Sequence, residues 1–209
     1  MNKWKGVVAL SLLLASGSTQ ADRFIEGKQY ISADKAVADA PAAVKFFSFY
    51  CPGCYQYDQI FKVNDNVRQA LPKGVVLDSY HVSFMGELGH ELSKAWAAAR
   101  MLEVEELIVG PMFDGVQKTK SVNDEASIRQ VFIDAGVKGE VYDVAINSFA
   151  VKAAVKRQEK MAADLNVTSV PAVYIQGQHR INPQGLDQSS ADAFVKDFRE
   201  TVAYLLMPR

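Results

Sequence analysis

Cysteine is almost absent from this chain: there are two in 209 residues, Cys51 and Cys54, three positions apart. That excludes the multi-bridge framework of small secreted domains, and one bridge across so short a gap would restrain the unfolded chain only slightly. Histidine is scarce too, and His81, His90 and His179 lack the close pairing of zinc sites, so a four-ligand metal clip fits poorly. The apolar run from Val7 to Leu14 is far short of the roughly 20 residues a membrane-crossing helix needs. No 20 to 50 residue repeat, low-complexity tract, nucleotide-binding glycine loop or Ser/His/Asp arrangement is found. No basic block exists that would track phosphates, which argues against nucleic acid as a partner.

The first residues do carry a pattern. Lys3 and Lys5 precede the short apolar run, and small residues follow up to Thr19-Gln20-Ala21, the layout of a cleaved secretory signal peptide at 1–21. The mature chain is expected to start near Asp22, and losing two lysines and no acid moves its net charge from −1 to about −3. With 49% hydrophobic residues it can bury one good core, or a core with a smaller inserted unit, without disulfides to compensate for size.

Val44 to Tyr50 reads as a buried, aromatic-rich strand, and Val75 to Val82 as a second. Between them Tyr55, Ile60, Phe61, Val63 and Val67 fit a helix running from Cys51 to the break at Leu71-Pro72-Lys73-Gly74. Strand, helix and strand in that order imply a parallel pair. From Gly86 to Leu165 the apolar residues keep helical spacing, with Gly110-Pro111, Gly136 and Gly139 expected as helix ends. Tyr142, Ile146, Phe149 and Val151 read as one face, and Trp96, Phe132, Phe149 and Met161 as core. Strand signals return at Pro171 to Gln176 and His179 to Ile181, with Gly177-Gln178 as the turn, before a closing helix through Phe194, Phe198, Val202 and Leu205. The expected fold is α/β with an inserted all-α unit, divided at 22–83, 84–159 and 160–209.

If a helix begins at Cys51, Pro52 occupies its first turn, where the missing N–H is no loss. Cys51 and Cys54 then share a face with Cα atoms about 5 to 6 Å apart, within reach of a disulfide. Unpaired backbone N–H groups and the positive end of the helix dipole meet at Cys51, which lowers its pKa, and a stabilised thiolate makes the closed disulfide more oxidising. Cys54, one turn inside, is expected to be more buried and to resolve. At a strand-to-helix junction in a βαβ unit, this spacing favours redox chemistry over an inert bridge. Val170-Pro171 opens the late strand, where a proline, trans or cis, can sit only at the end of pairing. His81, at a strand end, reads as a hydrogen-bonded structural residue.

The segments "KFFSFYCPGC", "YHVSFMG", "TSVPAVYIQG" and "NPQGLD", with the signal peptide, resemble the DsbA family of periplasmic thiol:disulfide oxidoreductases across the whole mature chain. The resemblance implies a thioredoxin fold with a helical insert, acting in the periplasm as a monomer with no cofactor or metal beyond a Cys51-Cys54 disulfide. It implies that Cys51 is the exposed nucleophile, that Cys54 resolves, and that Val170-Pro171 is the cis-proline loop binding substrate backbone. Phe61, Gln184 and Phe194 would line an apolar groove beside the disulfide. Unfolded exported proteins with reduced cysteines would be the substrates, and a DsbB-like, quinone-linked inner-membrane protein the reoxidant. Two positions depart from the family: Gly53 stands where well-known members have His, and Lys45 where a buried acid is usual. The amine of Lys45 either reaches water or favours the thiolate, unless Asp58 or Asp78 neutralises it. An isomerase or reductase, or a noncatalytic peptide-binding chaperone module, remain the alternatives.

Overall fold

The computed structural model describes residues 23–208, so the signal-peptide expectation for 1–21 lies outside the described residues. Five strands form one sheet: β1 (Tyr30–Ser32), β2 (Ala43–Phe47), β3 (Leu77–His81), β4 (Ala172–Ile175) and β5 (His179–Ile181), in the order β1-β5-β4-β2-β3. β2 and β3 run parallel, as the strand-helix-strand order requires, with Phe47 opposite His81. The other three pairings are antiparallel. All five residues of β2 are buried, which explains why its sequence is a continuous apolar run broken only by Lys45.

The segment after Cys51 is not one helix. A short α1 (Pro52–Tyr55) passes into a π-helical turn at Gln56–Ile60, closed by Phe61 N–H donating to the Gln56 carbonyl. Lys62 then takes a left-handed conformation (φ 51°) before α2 (Val63–Ala70). The extra residue in the π turn rotates the side chains beyond it about the helix axis. Tyr57 reaches Phe194 and Phe198 of the final helix, α8 (Ala191–Leu205), while Asp58 turns inward to Lys45.

Between β3 and β4 lie five helices: α3 (Gly89–Met101), α4 (Glu105–Gln117), α5 (Glu125–Asp134), α6 (Gly139–Asn147) and α7 (Phe149–Asp164). The proposed insertion, 84–159, ends within α7, which continues to Asp164. Gly136 ends α5 with φ of +91°, and Gly139 starts α6. Gly110-Pro111, in contrast, lies inside α4. The proline costs roughly 3 kcal/mol in a helix interior, but Ile108, Val109, Met112 and Phe113 around it are all buried. Each buried side chain of that kind is worth about 1.5–3 kcal/mol, and Leu107, whose carbonyl lacks the N–H that a residue other than proline would offer at 111, is on the exposed side.

Phe149 also departs from expectation. Ser148 ends α6 and caps α7 by accepting from Val151 N–H, so the period restarts there and Phe149 is left 85% exposed. Trp96 and Phe132 are core, and Met161 packs against a separate buried cluster around Phe46 and Tyr174. The β4–β5 turn is centred one residue earlier than the sequence implies, on Gln176 and Gly177, both with positive φ, and β1 carries no signal in the sequence at all.

β3 lies at the sheet edge, yet its backbone is occupied. The Ser79 carbonyl accepts from Trp96 Nε1 at 2.8 Å and Arg100 Nη1 at 3.3 Å, and His81 N–H donates to Gln158 Oε1 at 2.9 Å. Helices of the insertion therefore cover this edge with side chains.

Candidate active site

β2 ends at Phe47, and residues 48–51 carry the chain to α1. Cys51 is the N-cap of that helix, in extended backbone (φ −88°, ψ 114°), and Pro52 follows at the first turn. The Cys54 N–H donates to Cys51 Sγ at 3.1 Å, and the Cys51 thiol donates to the Val170 carbonyl at 3.3 Å. The latter contact suits only the protonated sulfur. A hydrogen bond from the Cys54 thiol favours the thiolate; burial opposes it, and the N–H groups of Cys54 and Gly53 support it. The thiolate side prevails and lowers Cys51 to about 7. Burial, then the Cys51 contact, push Cys54 strongly upward. Because α1 has four residues before the π turn, these local donors, rather than a long helix dipole, account for the shift.

The expectation of an exposed Cys51 needs correction. It is 5% exposed and Cys54 3%, since the Val170-Pro171 segment lies over the motif. The Val170-Pro171 bond is cis. A Cβ built on Gly53 would lie 3.2 Å from Pro171 Cδ, so the two positions are nearly in contact.

Lys45 does not send its amine to water. It is buried, and its Nζ lies 3.0 Å from Asp58 Oδ2. Burial lowers the lysine despite this partner. Burial would raise Asp58, but the Lys45 charge and the hydrogen bonds from Lys45, Asn64 and Gln59 outweigh it and hold the carboxyl below its usual range. Asp78, the other possible counter-ion, pairs with Arg100 instead. Lys45, Asp58, Cys54, Tyr57 and Pro171 border a cavity of about 10 Å³, so the ion pair sits next to the inner cysteine.

Phe61, Gln184 and Phe194 come together, with Tyr57, Pro183 and Gln188, around an open groove of about 390 Å³. Tyr57 borders both this groove and the cavity beside Cys54 and Pro171, which joins the two regions.

Two residues that hold the loop are less visible in the sequence. Phe49 N–H donates to His81 Nε2 at 3.1 Å, and His81 Nδ1 meets Ser93 Oγ at 2.8 Å. His81 is thus a neutral, fully bonded structural residue, with burial lowering it to about 3. The other is Gln117, whose amide bonds the carbonyls of Phe49 and Cys51. No spacing rule connects it to the motif.

His81 makes stability depend on pH. The unfolded chain takes up a proton near pH 6.5, whereas the folded protein resists until about 3, so stability present above pH 6.5 falls as pH drops. The expected slope is about 1.4 kcal/mol per pH unit between pH 6 and 4.5, above the carboxylate range. Urea unfolding at several pH values checks this, and His81→Gln should lose that part of the slope.

Among the described residues no group of three or more His, Cys, Asp or Glu side chains is placed to hold a metal ion, and no helix is long and apolar enough to cross a membrane.

The family described as DSBA-like thioredoxin domain matches residues 43–199. The thiol:disulfide interchange protein DsbA of Salmonella typhi is 51% identical over 199 residues, covering 95% of this chain and 96% of that protein. The DsbA of Escherichia coli K12 is 48% identical over the same coverage. Among solved structures, the disulfide oxidoreductase DsbA from Proteus mirabilis superposes with a TM-score of 0.86 at 42% identity, over 88% of this chain and 98% of that one. A variant of the same protein has been solved with a non-covalently bound peptide, again with a TM-score of 0.86, 42% identity and coverage of 88% and 99%.

Proposed function

Since this chain belongs to the DsbA family of thiol:disulfide oxidoreductases, we propose that it donates a Cys51-Cys54 disulfide to exported proteins in the periplasm. A substrate thiolate attacks Cys51 Sγ, the Cys51–Cys54 bond breaks, and Cys54 leaves with the electron pair and takes a proton. A second substrate thiolate then attacks the substrate sulfur of the mixed disulfide, and Cys51 leaves as a thiolate. The substrate gains a disulfide, and two electrons stay on the protein as a dithiol. The single observation that carries the exchange chemistry is the asymmetry of the pair: Cys51, lowered to about 7, is the reacting and leaving thiol, and the buried Cys54 resolves, while the donor direction follows from the family.

Val170 and Pro171 bind the substrate backbone beside Cys51 in this reading. Phe61, Gln184 and Phe194 offer the groove that takes an apolar segment of a reduced, unfolded protein, and a DsbB-like quinone-linked membrane protein restores the disulfide. A bound peptide on the Proteus mirabilis relative is in keeping with this role. The redox-tuning positions are Pro52, which starts the helix; Gly53, which supplies an N–H but no side chain to the thiolate; and Lys45, whose charge acts on Cys54. The protein acts as a monomer and needs no cofactor.

Equilibration with glutathione tests the direction. With Gly53 in place of the family's His, the couple should be oxidising enough to act as a donor yet less so than that of His-containing members. A potential in the reductase range would overturn the donor reading in favour of the reductase or isomerase. A potential equal to or above that of the His-containing enzymes would overturn the role given to Gly53.

A further inference from the structure

Gln117 closes α4, 66 positions from Cys51 along the chain. Its Nε2 donates to the Phe49 carbonyl at 2.7 Å and to the Cys51 carbonyl at 3.0 Å. A side-chain amide has two N–H donors, and both are used on the short segment that delivers Cys51 from β2 to α1. That segment has left the sheet, so its polar groups need partners from elsewhere. Phe49 N–H finds His81, Cys51 N–H finds the Ser48 carbonyl, and the Cys51 carbonyl also accepts from Tyr55 N–H.

We propose that Gln117 is a positioning residue for thiol–disulfide exchange, fixing the Cys51 backbone so that its sulfur stays on the N–H groups that stabilise the thiolate. This rests on the reading of Cys51 as the reacting thiol. Cys51 is a non-helical cap joined to a short helix, and rotation of its carbonyl carries the next peptides with it. Those peptides hold the N–H groups of Gly53 and Cys54, and the Cys54 N–H lies 3.1 Å from Cys51 Sγ. An anchored carbonyl therefore anchors the relation between sulfur and donors. The donor hydrogens of Gln117 also offset the partial negative charge of that carbonyl next to a developing anion. Because α4 belongs to the inserted helices, the insertion forms part of the redox site rather than only covering it.

The rate of alkylation of the reduced protein as a function of pH, with the modified cysteine identified by mass spectrometry, tests this. Gln117→Met keeps the length and loses both donors, and should move the Cys51 midpoint up by about one pH unit. Gln117→Lys restores a donor of similar reach and should keep the midpoint at or below that of the wild type. Gln117→Asn, one methylene shorter, should shift in the same direction as Met by less, and replaces it if that variant does not fold. A folded Met or Asn variant with the wild-type midpoint overturns the proposal, even if its melting temperature falls. Modification of Cys54 before Cys51 in the wild type overturns the Cys51 reading, and the role of Gln117 with it.

Discussion

Cys54→Ala should be trapped on its substrates as a mixed disulfide, while Cys51→Ala forms none and both lose donor activity. The two sulfurs differ in environment: Cys51 receives N–H groups and lies under the cis-proline segment, whereas Cys54 faces the buried cavity beside Lys45 and Asp58. A Cys51 thiolate without its partner can still attack a disulfide, but no thiol is then near enough to release the adduct. With a reduced, multi-cysteine protein as substrate, both variants should fall to the uncatalysed rate of oxidation. Non-reducing electrophoresis after mixing with a disulfide-bonded peptide separates them. A mixed disulfide on Cys51→Ala would give the nucleophile's role to Cys54, and refolding activity retained by that variant would leave the peptide-binding chaperone reading.

Lys45→Met should cost about 3–5 kcal/mol of stability, because it leaves the Asp58 carboxylate buried without its counter-ion. The pair is nearly out of water, with side-chain exposures of 7% and 15%. Removing both charges in Lys45→Met/Asp58→Leu should recover most of the loss, since two apolar groups of similar size suit a buried pair at least as well. Denaturant midpoints of the wild type and the two variants measure this, and an unchanged midpoint for Lys45→Met would show that the ion pair contributes nothing. The same variant should leave the Cys51 thiolate titration close to wild type, because the pair lies against Cys54 and the groups that act on Cys51 are Cys54 and the N–H groups of Gly53 and Cys54.

Much of the fold and of the site is legible directly in the chain. The apolar run through Phe46-Phe47 has to be a buried central strand, although it stops at Phe47 and not at Tyr50 as expected, and a proline after the cysteine that follows has to start a helix. Val170-Pro171 can stand only at the edge of pairing. Reasoning from spacing fails where long-range packing sets the outcome. A helical period does not foresee the extra residue at Gln56–Ile60, and spacing alone leaves Asp58 and Asp78 both open as counter-ions to Lys45 until packing gives Asp58 to the lysine and Asp78 to Arg100. Pro111 reads as a stop, but the buried residues on either side of it hold the helix together. Gln117 cannot be foreseen at all, since one amide far along the chain carries no local pattern.

The covered edge of β3 bears on how such a protein could coexist with its clients. Newly exported chains present unpaired strands, and an open sheet edge would hold them by main-chain bonding whether or not they carried cysteine. With the Ser79 carbonyl and His81 N–H already bonded to Trp96, Arg100 and Gln158, that route to indiscriminate retention and co-aggregation is closed at this edge. Contact with a client is then left to the brief covalent link at sulfur and to the proposed contacts at Val170-Pro171 and the groove, so the client is not also held along this strand once its disulfide has formed.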